Sequence, residues 1–218
     1  MRWALSTIGS FAVLGFAGMA HAQSAAPARE GFQIDVRTGF ALPMGNFSKD
    51  LKLADLTTGQ VPVITDIGAK VLPELFVGGY LGVAFGGEAG TAKAACNLNG
   101  GGCTSLGFLL GLEAQYHFLP GGSVNPWLGY GIGVESIGLT PGNNGGDTAT
   151  ASGFQFARLM GGADFRINRV FGVGPFVDFS LGKYSTVSGG TAGSDSRDIP
   201  ETAVHEWLTL GARFVFFP

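Results

Sequence analysis

The sequence predicts an all-β protein, an eight-stranded antiparallel up-and-down transmembrane β-barrel. Apolar and polar residues alternate with period two over eight segments separated by turn chemistry. Glycine is abundant, 38 of 218 residues, while only 13% are charged, against about 25% in an ordinary soluble domain. The connections between segments alternate short and long. A hydrophobic content of 45%, a mean hydropathy of +0.29 and a net charge of −3 exclude a disordered chain. The glycine content argues against a helical protein. The charge leaves no basic footprint for a nucleic acid.

Residues 1–22 read as a separate object. Arg2 opens an apolar run from Leu5 to Met19, and Ala20-His21-Ala22 offers small residues before Gln23. This is the pattern of a cleaved secretory signal peptide, too short for the roughly 20 residues of a spanning helix. No cysteine precedes Cys96, so a lipid-modified N-terminus is not expected. A short segment, 23–31, leads to the barrel, 32–218. The longest uncharged windows, such as Ala94 to Leu112, are broken by Asn, Ser, Thr and Gly, so the hydropathy resides in strands.

The first expected strand is Phe32 to Phe40, which alternates cleanly. Gln60 to Leu72 and Leu75 to Gly86 follow, then the clearest, Leu106 to Phe118. In that segment Leu106, Phe108, Leu110, Leu112, Ala114, Tyr116 and Phe118 share one face, and Leu109 alone breaks the pattern on the other. Pro126 to Ile137, Phe154 to Ile167 and Gly174 to Tyr184 come next, with Pro126 and Pro175 placed near strand starts, where a missing N–H costs least. Gln155 falls on the face that Leu159, Ala163 and Phe165 make apolar, which predicts a bulge between Phe154 and Arg158. His205 to Phe217 closes the set. Short connections at 72–74, 119–122 and 168–171 alternate with long ones at 41–59, 87–105, 139–153 and 185–203. Long loops on one side and short turns on the other are the sidedness of an outer-membrane barrel with both ends in the periplasm.

A soluble lipocalin-like barrel also has eight strands, but it would place many charges outward in water. Here the polar face is mostly small, with Gly107, Gly111, Gly129, Gly131, Gly133 and Gly211, as a narrow eight-stranded lumen requires. The charges on that face nearly balance: Asp35, Asp66, Glu113, Glu135, Asp164 and Asp178 against Arg37, Lys70, Arg158, Arg166 and Arg213, with His117 beside them. Each cation turned to lipid at the midplane would cost about 2–4 kcal/mol, so this face looks inward as a charge network. Centring the long connection near Gly146 sets Glu135 opposite Arg158 as an expected salt bridge.

These residues resemble the small outer-membrane β-barrel proteins of Gram-negative bacteria, the OmpA/OmpX-type transmembrane domain, over nearly the whole chain from Phe32 to Phe217. The most specific element is Thr209-Leu210-Gly211-Ala212-Arg213-Phe214-Val215-Phe216, similar to the assembly signal of that class through Thr209, Gly211, Phe214 and Phe216. The chain departs from it by continuing with Phe217-Pro218. No segment matches the peptidoglycan-binding domain of long OmpA-like proteins, so wall tethering is not expected. The resemblance implies a monomer in outer-membrane lipid, the barrel-assembly machinery as partner during biogenesis, and a structural or surface-interaction role with an unidentified external partner. The same fold also serves a narrow ion or small-solute pore.

Cys96 and Cys103 flank a glycine-rich stretch and read as a loop disulfide in an exported protein. No cofactor or metal is expected: no histidine stands near the pair for zinc, and the Cys-x-x-Cys spacing of a redox site is missing. The Gly142-Asn143-Asn144-Gly145-Gly146 run lacks the Lys and helix of a phosphate loop. Outer-membrane lipid-modifying enzymes use a Ser-His-acid set, so His205 with Ser180 or Ser185 is the one enzymatic candidate. No serine or acid stands at a spacing that marks a triad, and an enzyme is not expected. The 18 phenylalanines cluster near expected strand ends, as aromatic girdles do.

Overall fold

The computed structural model describes residues 30–98, 102–142, 148–189 and 195–216. The expected signal peptide, its cleavage point and Phe217-Pro218 lie outside them. Among the described residues ten strands occur in order with a 3-10 turn and one helix: β1 (Gly31–Ser48), β2 (Leu51–Lys52), the turn η1 (Leu53–Asp55), β3 (Thr57–Lys70), β4 (Leu75–Glu88), α1 (Gly90–Leu98), β5 (Cys103–His117), β6 (Val124–Pro141), β7 (Ala149–Arg166), β8 (Phe171–Gly189), β9 (Asp195–Asp198) and β10 (His205–Phe216). Eight of them, β1, β3 to β8 and β10, form an antiparallel ring. β10 pairs with β8 on one side and with β1 on the other, from Ile34 opposite Phe216 to Gly45 opposite His205, which closes the wall. Closure leaves the ring no edge, so its backbone groups pair within the wall.

Alternation sets the two faces as the sequence predicts. On β5, Leu106, Phe108, Leu110, Leu112 and Tyr116 are exposed outward, while Glu113, Gln115 and His117 are buried inside. From Leu106 to Tyr116 is about 33 Å along a strand, and a tilt of about 40° makes that an apolar band of about 25 Å, the height of a membrane-embedded wall. Aromatics gather at its periplasmic border, where Phe171 packs on Phe216 at 5.2 Å and Tyr116 on Phe118 at 5.2 Å between ring centroids.

The bulge expected in β7 is present. Arg158 lies opposite Gly131 and Gln155 opposite Gly133, so β7 carries an extra residue at Phe156–Ala157. Gln155 and Arg158 thereby both enter the lumen, and Tyr130 Oη, on the outer wall, donates to the carbonyl of Phe156 at 2.8 Å.

Several expectations are corrected. The strands run further on the loop side than hydropathy implies: β1 reaches Ser48 rather than Phe40, β6 reaches Pro141, and the connection to β7 shrinks to 142–148. Above the lipid belt the outer face needs no apolar residues, so alternation fades while hydrogen bonding continues. Pro175 is not near a strand start, because β8 begins at Phe171; the β7–β8 ladder skips Ala163 and Asp164 beside it, where a proline has no N–H to give. The connection after β4 is not simply loop but carries α1, built from Ala-rich sequence.

Candidate functional site: an ionic lumen

Three arginines cross the lumen, each fully or nearly fully buried. Arg37 of β1 is bidentate to Asp66 of β3, with Nε and Nη2 each 2.6 Å from a carboxylate oxygen. Its Nη2 also donates to Glu113 of β5 at 3.0 Å, and its Nη1 to Asp178 of β8 at 3.3 Å. Arg158 of β7 holds the same Asp178, through Nε at 2.6 Å and Nη2 at 2.5 Å. Arg213 of β10 donates to Asp35 of β1 and to the Gln115 carbonyl, both at 2.6 Å, and reaches Asp164 at 3.4 Å. Two amides tie the acids further: Gln33 to Asp35 at 3.2 Å and Gln115 to Glu113 at 2.6 Å.

Aromatic faces support the guanidiniums. Arg213 lies 4.2 Å from the Trp127 ring centroid, Arg158 4.8 Å from Tyr80 and Arg37 5.9 Å from Phe176. Glycine makes the room, since a Cβ at Gly111 or Gly133, opposite each other on β5 and β6, would strike the Tyr80 ring or hydroxyl.

The remaining predicted basic residues sit at the periplasmic end. Lys70 Nζ donates to the carbonyl of Pro73 at 3.4 Å, Arg166 Nη2 to that of Pro120 at 2.9 Å, and His117 Nδ1 meets the Asn125 amide at 2.7 Å. These contacts fasten the short turns beneath the network.

The expected Glu135–Arg158 bridge does not form. The β6–β7 hairpin centres near 144, so Glu135 lies opposite Gly153, and the bulge swings Arg158 down to Asp178. Glu135 is held instead by His205 Nε2 and by Gln155 Nε2, the latter at 3.4 Å, while Tyr80 Oη donates to Gln155 at 2.7 Å. The His205 ring stacks on Tyr184 at 4.1 Å. Ser185 is exposed on the wall, away from the buried His205, and Ser180 lies opposite Trp207; neither hydrogen-bonds the ring, so the Ser-His-acid candidate is not assembled.

Above the network the lumen turns apolar. Leu53, carried by η1 of the first loop, is wholly buried among Ala41, Ile137, Ala151, Tyr184 and Trp207, with Phe47, Val187 and Ile199 against them. No pattern in the sequence marks Leu53 as a cap, although Trp207 and Ile137, both on the inward-facing side of their strands, signal an apolar mouth. A cavity of about 30 Å³ separates cap from network; Ile64, Leu109, Ile137 and Trp207 supply much of its wall, and Glu135, Arg158, Asp178 and Ser180 give it polar groups enough for one or two waters.

No family model and no curated protein matches the chain. Its architecture is similar to the outer membrane protein AlkL in DMPC lipid bilayers, with a TM-score of 0.50 and 17% identity over 92% of this chain and 97% of that one. The chain has the fold of a small outer-membrane β-barrel. Neisserial surface protein A (TM-score 0.48, 12% identity, 86% and 97% coverage) and OprG from Pseudomonas aeruginosa (0.47, 13%, 87% and 98%) also match. Together with the apolar belt, the fold puts this barrel in the outer membrane.

Two further predicted features belong to the barrel's ends. Cys96 and Cys103 form a disulfide that staples α1 to the start of β5, and Glu88 accepts the Cys103 N–H. On β10, Thr209 is buried in the lumen, Gly211 lies opposite Gly39 of β1, and Phe214 and Phe216 face outward.

Proposed function

We propose that this is a closed outer-membrane barrel whose role is structural or one of surface interaction, exercised by the loop-bearing rim rather than by transport through the lumen. The observation that carries the reading is the double seal: the guanidinium network across the lumen and the Leu53 cap above it. A buried pair broken on one side costs about 3–5 kcal/mol, so the network resists opening at thermal energies. The disulfide-stapled helix fits a rim exposed to an oxidising exterior, and β10 fits the terminal signal read by the assembly machinery. Cleavage before Gln23 belongs to the same reading and is checked by N-terminal sequencing of the envelope protein.

Refolded protein in a planar bilayer should give no steady single-channel current, and a steady wild-type current overturns the closed reading. The second reading, a narrow pore, draws on the water-sized cavity between network and cap, which Glu135, Arg158, Asp178 and Ser180 border. It predicts steady current whose ion preference shifts in Glu135→Gln or Arg158→Gln.

A further inference from the structure

We propose that the outer wall at the loop-side membrane border holds one phosphorylated lipid, its phosphate on Lys183 and its chain along Phe154, Val134 and Phe108. Among the described residues, Lys183 is the one Lys or Arg that faces outward on the eight ring strands; Arg37, Lys70, Arg158, Arg166 and Arg213 face the lumen or its rim. It stands just above Leu181, where the outward apolar residues of β8 end, so its stem lies against the belt while the ammonium reaches headgroup level.

Beside it a groove of about 460 Å³ opens in the wall. Phe108, Val134 and Phe154, each about half exposed, are its apolar residues, and Ser136, Ser152, Ser185 and Thr186 are its hydroxyls. Phe154 is the direct cross-strand partner of Lys183. The wall is locally irregular here: Ser152 pairs with Thr186 but Gly153 with Tyr184, so Ser185 is an extra residue on β8. Tyr184 below it and Val187 above it both pack inward on the cap, while Ser185 and Thr186 line the groove side by side. Ser185 Oγ and Thr186 Oγ1 reach the Ser152 carbonyl only at 3.4 and 3.5 Å, bonds long enough to be exchanged, so the bulge sets two consecutive hydroxyls on the face that carries Lys183 and matches a phosphate with several acceptor oxygens. The apolar residues continue into the lipid belt and match an acyl chain. The Glu135 carboxylate, at the same level, is held on the lumen side by His205.

Native mass spectrometry of the refolded barrel in an uncharged detergent tests the assignment, with phosphatidic acid as probe and diacylglycerol of the same chains as comparator. Wild type should retain one phosphatidic acid about tenfold more tightly than diacylglycerol. Lys183→Gln should erase that difference, and Ser152→Phe, which fills the groove, should weaken both lipids, while Lys52→Gln in the first loop leaves binding unchanged. Equal retention of the two lipids by wild type overturns the proposal, as does a Lys183→Gln variant that binds like wild type. Displacement of the lipid by millimolar inorganic phosphate also overturns it, marking a free-anion site. A conducting lumen would overturn the closed-barrel reading and leave this site standing, because the groove lies on the outer wall.

Discussion

Toward the periplasm the lumen is crossed by guanidinium–carboxylate bonds from Arg37, Arg158 and Arg213, whereas at the loop end the same strands present Ala41, Ile137, Tyr184 and Trp207 around Leu53. The first region is directional: each donor is matched to acceptors on strands far apart in sequence, and loss of one partner strands a buried charge. The second closes by shape and burial, and its central side chain comes from a loop rather than from the wall. Specificity of register is therefore concentrated in the ionic region and adaptability in the cap.

The widest separation between the two comes from Arg37→Met. Asp66, Glu113 and Asp178 would lose their common donor, and the expected cost is about 3–5 kcal/mol, read as a lower urea midpoint for the compact band on unheated SDS gels. In the cap, Leu53→Ala should cost about 2 kcal/mol, toward the low end for a buried leucine because loop 1 can settle inward. That variant should keep its SDS resistance and stay non-conducting, while Lys49 and Lys52 become faster trypsin sites. Conduction by Leu53→Ala would show that the cap, not the network, is the seal.

A finer test lies within the network. In double-mutant cycles with alanine, Arg158 and Asp178 should couple by about 1 kcal/mol or more, and Arg158 with Glu135 by less, since Glu135 answers to His205. The smallest effect is expected at the rim. Cys103→Ser should change the unfolding of the wall by less than about 0.5 kcal/mol while speeding trypsin cleavage at Lys93 of α1, already exposed, because the crosslink holds a rim segment that opens separately from the wall.

The wall was legible because lipid outside and a narrow lumen inside force a two-residue alternation that needs only Leu106 to Phe118 to be recognised. Residues such as Asp66 and Arg213 could be assigned to the lumen for the same reason. Their partners could not. Pairing depends on stagger between strands, and one extra residue at Phe156–Ala157 with a hairpin centred two positions away from Gly146 moved Arg158 from Glu135 to Asp178. The oddity at Gln155 held half of that information. Leu53 was illegible for a different reason: no periodicity marks a single apolar residue in a polar loop that folds back over a barrel.

The partners of Arg37 lie 29, 76 and 141 residues along the chain, and Arg213 returns across 178 residues to Asp35. The Arg37–Asp178 and Arg213–Asp35 contacts need β1 beside β10 and near β8, so they can form only once the two ends of the wall have met. The network therefore discriminates between staggers of the closed wall. A cylinder zipped with any strand slipped by two residues would still show its apolar face to lipid, yet would bring the wrong residues to Arg37 and Arg213. Only the correct stagger pairs Arg213 with Asp35 and Arg37 with Asp178 across the closing seam.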